Sequence, residues 1–156
     1  MPVVADRRPA DDQAVSDNER LYVRVYPAQD AVVPVGDGTF RPHSGSIRGR
    51  HPDQPMSVDL GSKSTPEQTR DRGTDGNFHV AELVAGEVRE LGMRVVADPI
   101  EEGAVPNAAH ALILGSRPNS GGDLEGALTG GEYSKLARRA RIVLRAGNPE
   151  GPGARE

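Results

Sequence analysis

The chain contains no cysteine among its 156 residues, which excludes disulfides, thiolate metal sites and cysteine nucleophiles. Aromatic residues make up only 3% of the chain, and its apolar fraction of 35% is below the usual share of globular proteins. No apolar run approaches the roughly 18 residues of a membrane span, and the N-terminal text lacks the apolar region of a signal peptide. These absences predict a cytoplasmic protein that does not enter a membrane.

Lysine is also scarce, because only Lys63 and Lys135 are lysine among 19 basic residues. Such an excess of arginine, beside abundant alanine, glycine, proline and valine, is typical of a high-GC bacterial genome. The net charge is -4, so attraction of the whole molecule to nucleic acid or to anionic lipid is not expected.

Glycine and proline are plentiful, with 19 and 13 residues, so much of the chain is expected to form loops and tails. The length suits one domain with a core of its own. The polar residues 1–20 and the Pro/Gly-rich residues 147–156 are predicted to be flexible tails. They flank a single α+β domain over residues 21–146.

The densest apolar pattern lies between Phe78 and Gly115. It predicts a helix up to Gly92, because apolar residues recur at three- and four-residue intervals: Val80, Leu83, Val84, Val88 and Leu91. Gly92 is placed as a left-handed C-terminal cap. The branched runs at 93–97 and 109–114 predict two strands that follow this helix.

Other segments carry shorter signals. Residues 21–26 and 56–60 predict strands, and 31–35 predicts an extended edge segment because Pro34 interrupts it. Residues 36–55 form a long loop that opens with a hairpin turn at 36–38. Residues 65–68 carry a capping box that starts a short helix, and 134–145 predicts the second main helix. The expected fold is α+β: a small mixed or antiparallel sheet of four to five short strands with two main helices.

Basic residues cluster on that second helix: Lys135, Arg138, Arg139, Arg141 and Arg145. In helical phase they form an arc opposite the apolar stripe, which suits docking of an acidic partner or contact with nucleic-acid phosphates. A solvated amphipathic face with cations near the helix C-terminus explains the same residues. No aromatic residues interleave with the arginines, which argues against nucleic acid.

The sequence patterns that could indicate a metal site or a phosphate-binding loop are incomplete. Among His43, His51, His79 and His110, only His79 has an acidic neighbour one helical turn away, Glu82, and no third ligand has diagnostic spacing. The glycine-rich residues 115–122 lack the Gly-Lys-Ser/Thr ending of a phosphate loop and are interpreted as a turn. Neither a metal nor a cofactor is therefore expected, and His110 is interpreted as satisfying a local hydrogen bond.

One order of residues suggests an enzyme. Arg24 and Ser57, followed by Glu82 or Glu87, have the arginine–serine–glutamate order of the catalytic residues in some ADP-ribosyltransferases. These residue types are common, and an arginine on a strand face is the default interpretation. An enzyme acting on a nucleotide or similar anionic substrate would use Arg24, His43 and Glu82.

The pieces LYVRVYP, FRP, MSVDL, HVAELVAGEVRELGMRVVADP, AHALILG and LARRARIVL resemble those of a group of small bacterial proteins, over about four fifths of the chain, residues 21–145. Tyr26 stands here where that group has His before the proline, and VAELVAGEV is poorer in aromatic residues. The resemblance implies one domain and a bacterial source, and it transfers no catalytic residues.

These observations predict a non-enzymatic accessory or interaction module whose partner is another protein, for example one encoded in the same gene cluster. The alternative is the small enzyme with an anionic substrate. Binding of nucleic acid by the C-terminal helix is a third hypothesis, and it predicts an affinity that falls steeply with salt.

Overall fold

The computed structural model of the protein describes residues 4–28, 30–48, 53–73, 77–103 and 106–146. In chain order, the elements within these residues are β1 (Arg20–Val25), β2 (Val32–Gly36), β3 (Thr39–Pro42), β4 (Met56–Leu60), α1 (Pro66–Asp71), β5 (His79–Val84), α2 (Ala85–Glu90), β6 (Arg94–Ala97), β7 (His110–Leu114), α3 (Gly130–Arg139) and β8 (Arg141–Leu144).

Six strands form one antiparallel sheet in the order β6-β7-β4-β1-β5-β8, and β2 and β3 form a separate antiparallel pair. The α+β class predicted from the sequence is therefore confirmed. The sheet is larger than the four to five strands expected, and β5 and β8 account for part of the difference. Both of these strands come from segments whose apolar spacing had predicted helix.

The helix predicted before Gly92 is wrong in its first half. Residues His79–Val84 form β5, which pairs with β1 at six positions, and only Ala85–Glu90 are helical. Five of the six residues of β5 are buried, so the strand lacks the alternation that marks a half-exposed strand. The C-terminal cap is as predicted, because Gly92 adopts a left-handed φ of 94°.

The helix predicted over 134–145 is also partly wrong, because it begins earlier and its last residues form a strand. Helix α3 begins at Gly130, where the Thr129 side chain accepts a hydrogen bond from the Glu132 N–H and the Glu132 side chain accepts one from Thr129. It ends at Arg139, because Ala140 is extended and β8 then pairs with β5. The β-branched residues Ile142 and Val143 suit this edge strand better than a helix.

Two local signals are confirmed. At the start of α1, Thr65 Oγ1 accepts from the Gln68 N–H at 3.1 Å, and Gln68 Oε1 accepts from the Thr65 N–H at 3.1 Å. The predicted turn at 36–38 connects β2 and β3 as a hairpin. Asp37 and Gly38 connect them with φ values of 53° and 76°, the left-handed pair that a type I′ turn needs. Because β3 (Thr39–Pro42) lies within residues 36–55, the prediction of a continuous loop there is wrong in its first part.

The two faces of the six-stranded sheet differ in composition. One face packs against α2 and α3 and forms the main core, with Leu21, Val23, Val25, Val58 and Ile113 from the strands against Val88, Leu136 and Ala137 from the helices. Helix α1 lies against the opposite face, where Thr69 contacts Asp59 and Arg24. That second face carries the polar residues of the middle strands.

The N-terminal segment, residues 4–19, lies along the edge strand β6. Asp12 N–H donates to the main chain of Val95 at 2.9 Å, and the Asp11 carboxylate accepts from the Val95 N–H at 2.9 Å. Val15 in this segment is only 4% exposed. These contacts cover a sheet edge that would otherwise present open hydrogen-bonding groups. The flexibility expected of residues 1–20 stays a prediction, and residues 147–156 lie outside the described part.

Candidate active site

A cavity of about 220 Å³ lies on the α1 face of the sheet, over strands β1, β4 and β7. Its walls come from these strands, from α1 and its C-cap, and from the loop between β6 and β7. Ten residues line it: Tyr22, Arg24, Ser57, Val58, Asp59, Thr69, Arg72, Ile100, Asn107 and His110.

Strand alternation and register bring the polar residues of the cavity together. Tyr22 pairs with Asp59 across β1 and β4, and Asp59 pairs with His110 across β4 and β7. These residues form one row across three strands, because directly opposed residues point to the same face. Arg24 lies on the same face, because it follows Tyr22 by two positions on β1. Ser57 does so too, because it precedes Asp59 by two positions on β4.

Asp59 organises the floor of the cavity. Its side chain is 4% exposed, and its carboxylate accepts from Thr69 Oγ1 at 2.8 Å, Arg72 Nη1 at 2.6 Å and Asn107 Nδ2 at 2.9 Å. A buried carboxylate needs such donors, because its desolvation is otherwise very costly. The network fixes α1 and the β6–β7 loop to the sheet.

His110 connects Ser57 to Asp98 at the rim of the cavity. Its Nδ1 lies 2.9 Å from the Asp98 main-chain oxygen and 3.2 Å from the Asp98 carboxylate oxygen Oδ2. Both are acceptors, so Nδ1 carries the hydrogen of the neutral ring and Nε2 presents its lone pair. The Ser57 hydroxyl lies 3.2 Å from Nε2 and donates to it. This is the order of nucleophile, base and orienting carboxylate that activates a serine.

The charges in the cavity wall are two arginines and one carboxylate, since Arg24 and Arg72 accompany Asp59. Arg72 forms an ion pair with Asp59 at 2.6 Å. Arg24 donates to the main-chain oxygen of Thr69 at 3.2 Å and lies over the Phe78 ring, and within the described residues it has no ion pair. One positive charge is therefore left for a ligand.

Tyr22 adds a neutral donor to this wall. Burial, and then the negative charge of Glu82, raise the pKa of the Tyr22 hydroxyl. The hydroxyl therefore stays protonated over the physiological range and is able to donate a hydrogen bond to an anion in the cavity.

Only one residue of the predicted anionic-substrate set lines this cavity. Arg24 does, whereas the Glu82 carboxylate lies 3.0 Å from Arg20 and 3.1 Å from Arg141 in an ion-pair cluster beyond the cavity wall. His43 is exposed in a loop, where its Nδ1 accepts from the Gly45 N–H. Of the arginine–serine–glutamate order, the structure thus brings Arg24 and Ser57 together without the glutamate.

The predicted basic arc is divided between two elements. Lys135, Arg138 and Arg139 lie in α3, while Arg141 belongs to β8 and Arg145 follows it. Three of these residues have intramolecular contacts: Arg139 with Glu90 at 3.5 Å, Arg141 with Glu82 at 3.1 Å, and Arg145 over the Phe40 ring at 4.6 Å from its centroid. The prediction of a single helical face is therefore wrong, because the helix ends at Arg139.

His79 and Glu82 do not form the pair that a helix would have made. They lie three residues apart on β5, and residues at odd separations on a strand point to opposite faces. The His79 ring accepts from the Ala146 N–H at 2.7 Å, and burial lowers its pKa. His51 lies outside the described residues. In the part that the structure describes, no group of three His, Asp or Glu side chains is placed to hold a metal ion.

The sequence contained a partial signal for the cavity. Alternation in MSVDL places Ser57 and Asp59 on one face, and His110 was expected to make a local hydrogen bond, as it does to Asp98. The contributions of Arg72 and Asn107 were missed, because both lie outside the strands and approach Asp59 only through the fold. The segments LYVRVYP, MSVDL and AHALILG, on which the family resemblance depends, all supply lining residues.

Comparisons with protein-family models, with curated proteins and with solved structures gave no match. No helix in the described ranges is both long enough and apolar enough to cross a bilayer. Only the geometry of the site is therefore available to argue function. It consists of an α+β fold with serine, histidine and aspartate side chains next to one another beside a cavity that two arginines line.

Proposed function

We propose that this protein is a small enzyme that transfers or hydrolyses an acyl or phosphoryl group of an anionic substrate bound in this cavity. The observation that carries the proposal is the order Asp98–His110–Ser57. His110 Nδ1 is hydrogen-bonded to the Asp98 main-chain oxygen at 2.9 Å and lies 3.2 Å from the Asp98 carboxylate, and His110 Nε2 lies 3.2 Å from the Ser57 hydroxyl. Arg24 in the same wall supports an anionic substrate, because its charge is not neutralised by a described carboxylate.

In the proposed reaction, Ser57 Oγ attacks the electrophilic carbon or phosphorus while its proton passes to His110 Nε2. The Asp98 oxygens stabilise the imidazolium that forms. Arg24, whose charge is not neutralised by a described carboxylate, stabilises the negative charge that develops on the substrate oxygens. The bond to the leaving oxygen then breaks and that oxygen takes the proton from Nε2. Water, deprotonated by His110, releases the group from Ser57 and restores the hydroxyl.

The test uses three p-nitrophenyl esters with the same leaving group: the phosphate and the mono-succinate, which are anionic, and the neutral acetate. Release of p-nitrophenol is measured for the wild type and for Ser57→Ala and His110→Asn. Loss of the general base is expected to lower turnover by about 10²- to 10⁴-fold. Mass spectrometry of the rapidly quenched protein should locate the transferred group on Ser57.

Matched controls are available on the surface. Ser62→Ala and His43→Asn remove a serine and a histidine that do not line the cavity, and they should leave turnover unchanged. Arg24→Gln should reduce kcat/KM for the anionic esters about tenfold or more relative to the acetate. Turnover that survives Ser57→Ala, or a wild type that cleaves none of the three esters, would refute the proposal.

Docking of an acidic protein partner is a second proposal, and it rests on two cations of α3. Lys135 and Arg138 are exposed, and neither has an ion pair within the described residues. Exchanging both for glutamate should abolish capture of a stoichiometric partner in a pull-down read by mass spectrometry. The purified partner should then bind the wild type and a Lys63→Glu control with equal affinity. Retained binding by the double variant would exclude this face as the docking site.

A further inference from the structure

A second cavity, of about 300 Å³, adjoins the first, and Arg24, Ser57 and Arg72 line both. Each cavity alone is small: their volumes of about 220 and 300 Å³ lie at or below the lower limit of the volume range of ligand pockets. Such pockets occupy roughly 300–1,000 Å³. The three shared side chains lie between the two cavities, so a ligand that occupies both would pass beside Ser57.

The opening exists because two neighbouring strands separate. Among the described residues, the ladder between β1 and β4 consists of Leu21↔Leu60 and Tyr22↔Asp59. Beyond this point Arg24 and Ser57 continue on their strands without pairing across the gap. The second cavity lies there, between the C-terminal end of β1 and the N-terminal end of β4.

The lining of this second cavity is aromatic. The chain has only five aromatic residues, and three of them, Tyr26, Phe78 and Tyr133, line this one space. Two guanidinium groups lie over these rings: Arg24 at 5.8 Å from the Phe78 centroid and Arg48 at 5.5 Å from the Tyr133 centroid. Aromatic rings and guanidinium planes are the groups on which nucleobases stack.

We infer that the second cavity is a base subsite and that the substrate is a nucleoside phosphate. Phe78 and Tyr133 are only 5% and 2% exposed, so the accessible plane is the exposed Arg48 guanidinium above Tyr133. The planar base stacks on Arg48 with Tyr26 and Phe78 in the wall beside it, and the phosphate lies next to Arg24 and Ser57. This inference rests on the proposed function, because the phosphate is then the anionic group that the catalytic serine meets. The assignment is carried by the concentration of three aromatic residues in the second cavity, against Tyr22 alone in the first, beside arginines that line both cavities.

The test measures affinity by calorimetry for AMP, GMP, CMP and UMP, with ribose 5-phosphate as the ligand that lacks a base. At least one nucleotide should bind about tenfold more tightly than ribose 5-phosphate, as base stacking requires. Phe78→Leu should remove most of this preference and should lower the affinity for ribose 5-phosphate by a smaller factor, since Arg24 lies over the Phe78 ring. Arg48→Ala, a change at an exposed side chain, should reduce the preference without the risk of misfolding.

Phe40→Leu is the matched control, because Phe40 lines neither cavity and packs under Arg145 instead. The inference is overturned if no nucleotide exceeds ribose 5-phosphate in affinity, or if Phe78→Leu and Arg48→Ala leave the preference intact. Ester turnover that depends on Ser57 would then still support the proposed function. Conversely, a base-dependent affinity without ester turnover would establish the subsite and refute the catalytic proposal.

Discussion

Replacement of Asp59 by asparagine gives the sharpest test of how the site is held together. The Asp59 carboxylate is buried and takes hydrogen bonds from Thr69, Arg72 and Asn107. An asparagine removes the counter-ion of Arg72 and turns an amide N–H₂ toward groups that are themselves donors. Breaking a buried pair on one side costs about 3–5 kcal/mol.

The expected loss is somewhat smaller here, because the Arg72 side chain is 24% exposed and water stabilises part of its charge. We expect Asp59→Asn to lower the free energy of unfolding by about 2–4 kcal/mol. This is a large part of the roughly 5–15 kcal/mol that stabilises a protein domain. Urea denaturation followed by circular dichroism measures this difference directly.

Asp71→Asn is the matched control, because Asp71 also pairs with an arginine, Arg70, but is 63% exposed. This surface pair should contribute only about 0–1 kcal/mol. Adding Arg72→Met to Asp59→Asn should recover part of the loss, since no unpaired charge is then left. If Asp59→Asn is as mild as Asp71→Asn, the carboxylate does not hold α1 to the sheet and the reasoning is refuted.

Two further predictions concern pH and the N-terminal segment. Burial lowers the pKa of His79 below its ordinary value of 6.5, so the unfolded chain takes up this proton first as the pH falls. Stability should therefore decrease below about pH 6.5, and urea midpoints measured at several pH values should decrease less for His79→Asn. Asp11→Ala leaves the Val95 N–H without its acceptor and removes one of the three acceptors of Arg89, so it should cost about 1–3 kcal/mol in the same assay. Asp17→Ala, which removes a contact to Arg89 from a 76% exposed carboxylate, should cost less, and equal losses would contradict the proposed role of Asp11.

The parts of the fold that were predicted correctly depend on contacts between close neighbours in the chain. MSVDL forms β4 with the predicted bounds, because its alternation matches a strand with one face in the core. The caps at Thr65 and Gly92 and the turn at 36–38 were predicted for the same reason, since each needs only local backbone geometry.

The two misassigned helices show where local information ends. An apolar run such as HVAELV satisfies a helix or a buried strand equally well by its spacing. It became β5 because six residues of β1 offered a partner, and β5 in turn offered the edge on which β8 formed. The ladder hydrogen bonds of a distant strand outweighed the weak helix propensity of these segments.

The sequence by itself determined the α+β class, the alternation that puts Ser57 and Asp59 on one face, and the helix caps and hairpin turn. Only the tertiary structure decided the candidate site. His110 stands 12 positions from Asp98 and 53 from Ser57, and Asn107 stands 48 from Asp59. No periodicity spans such separations. The strand order β7-β4-β1 brings these residues together, because the hydrogen-bonded pairing of strands that are distant in sequence sets the position of each strand.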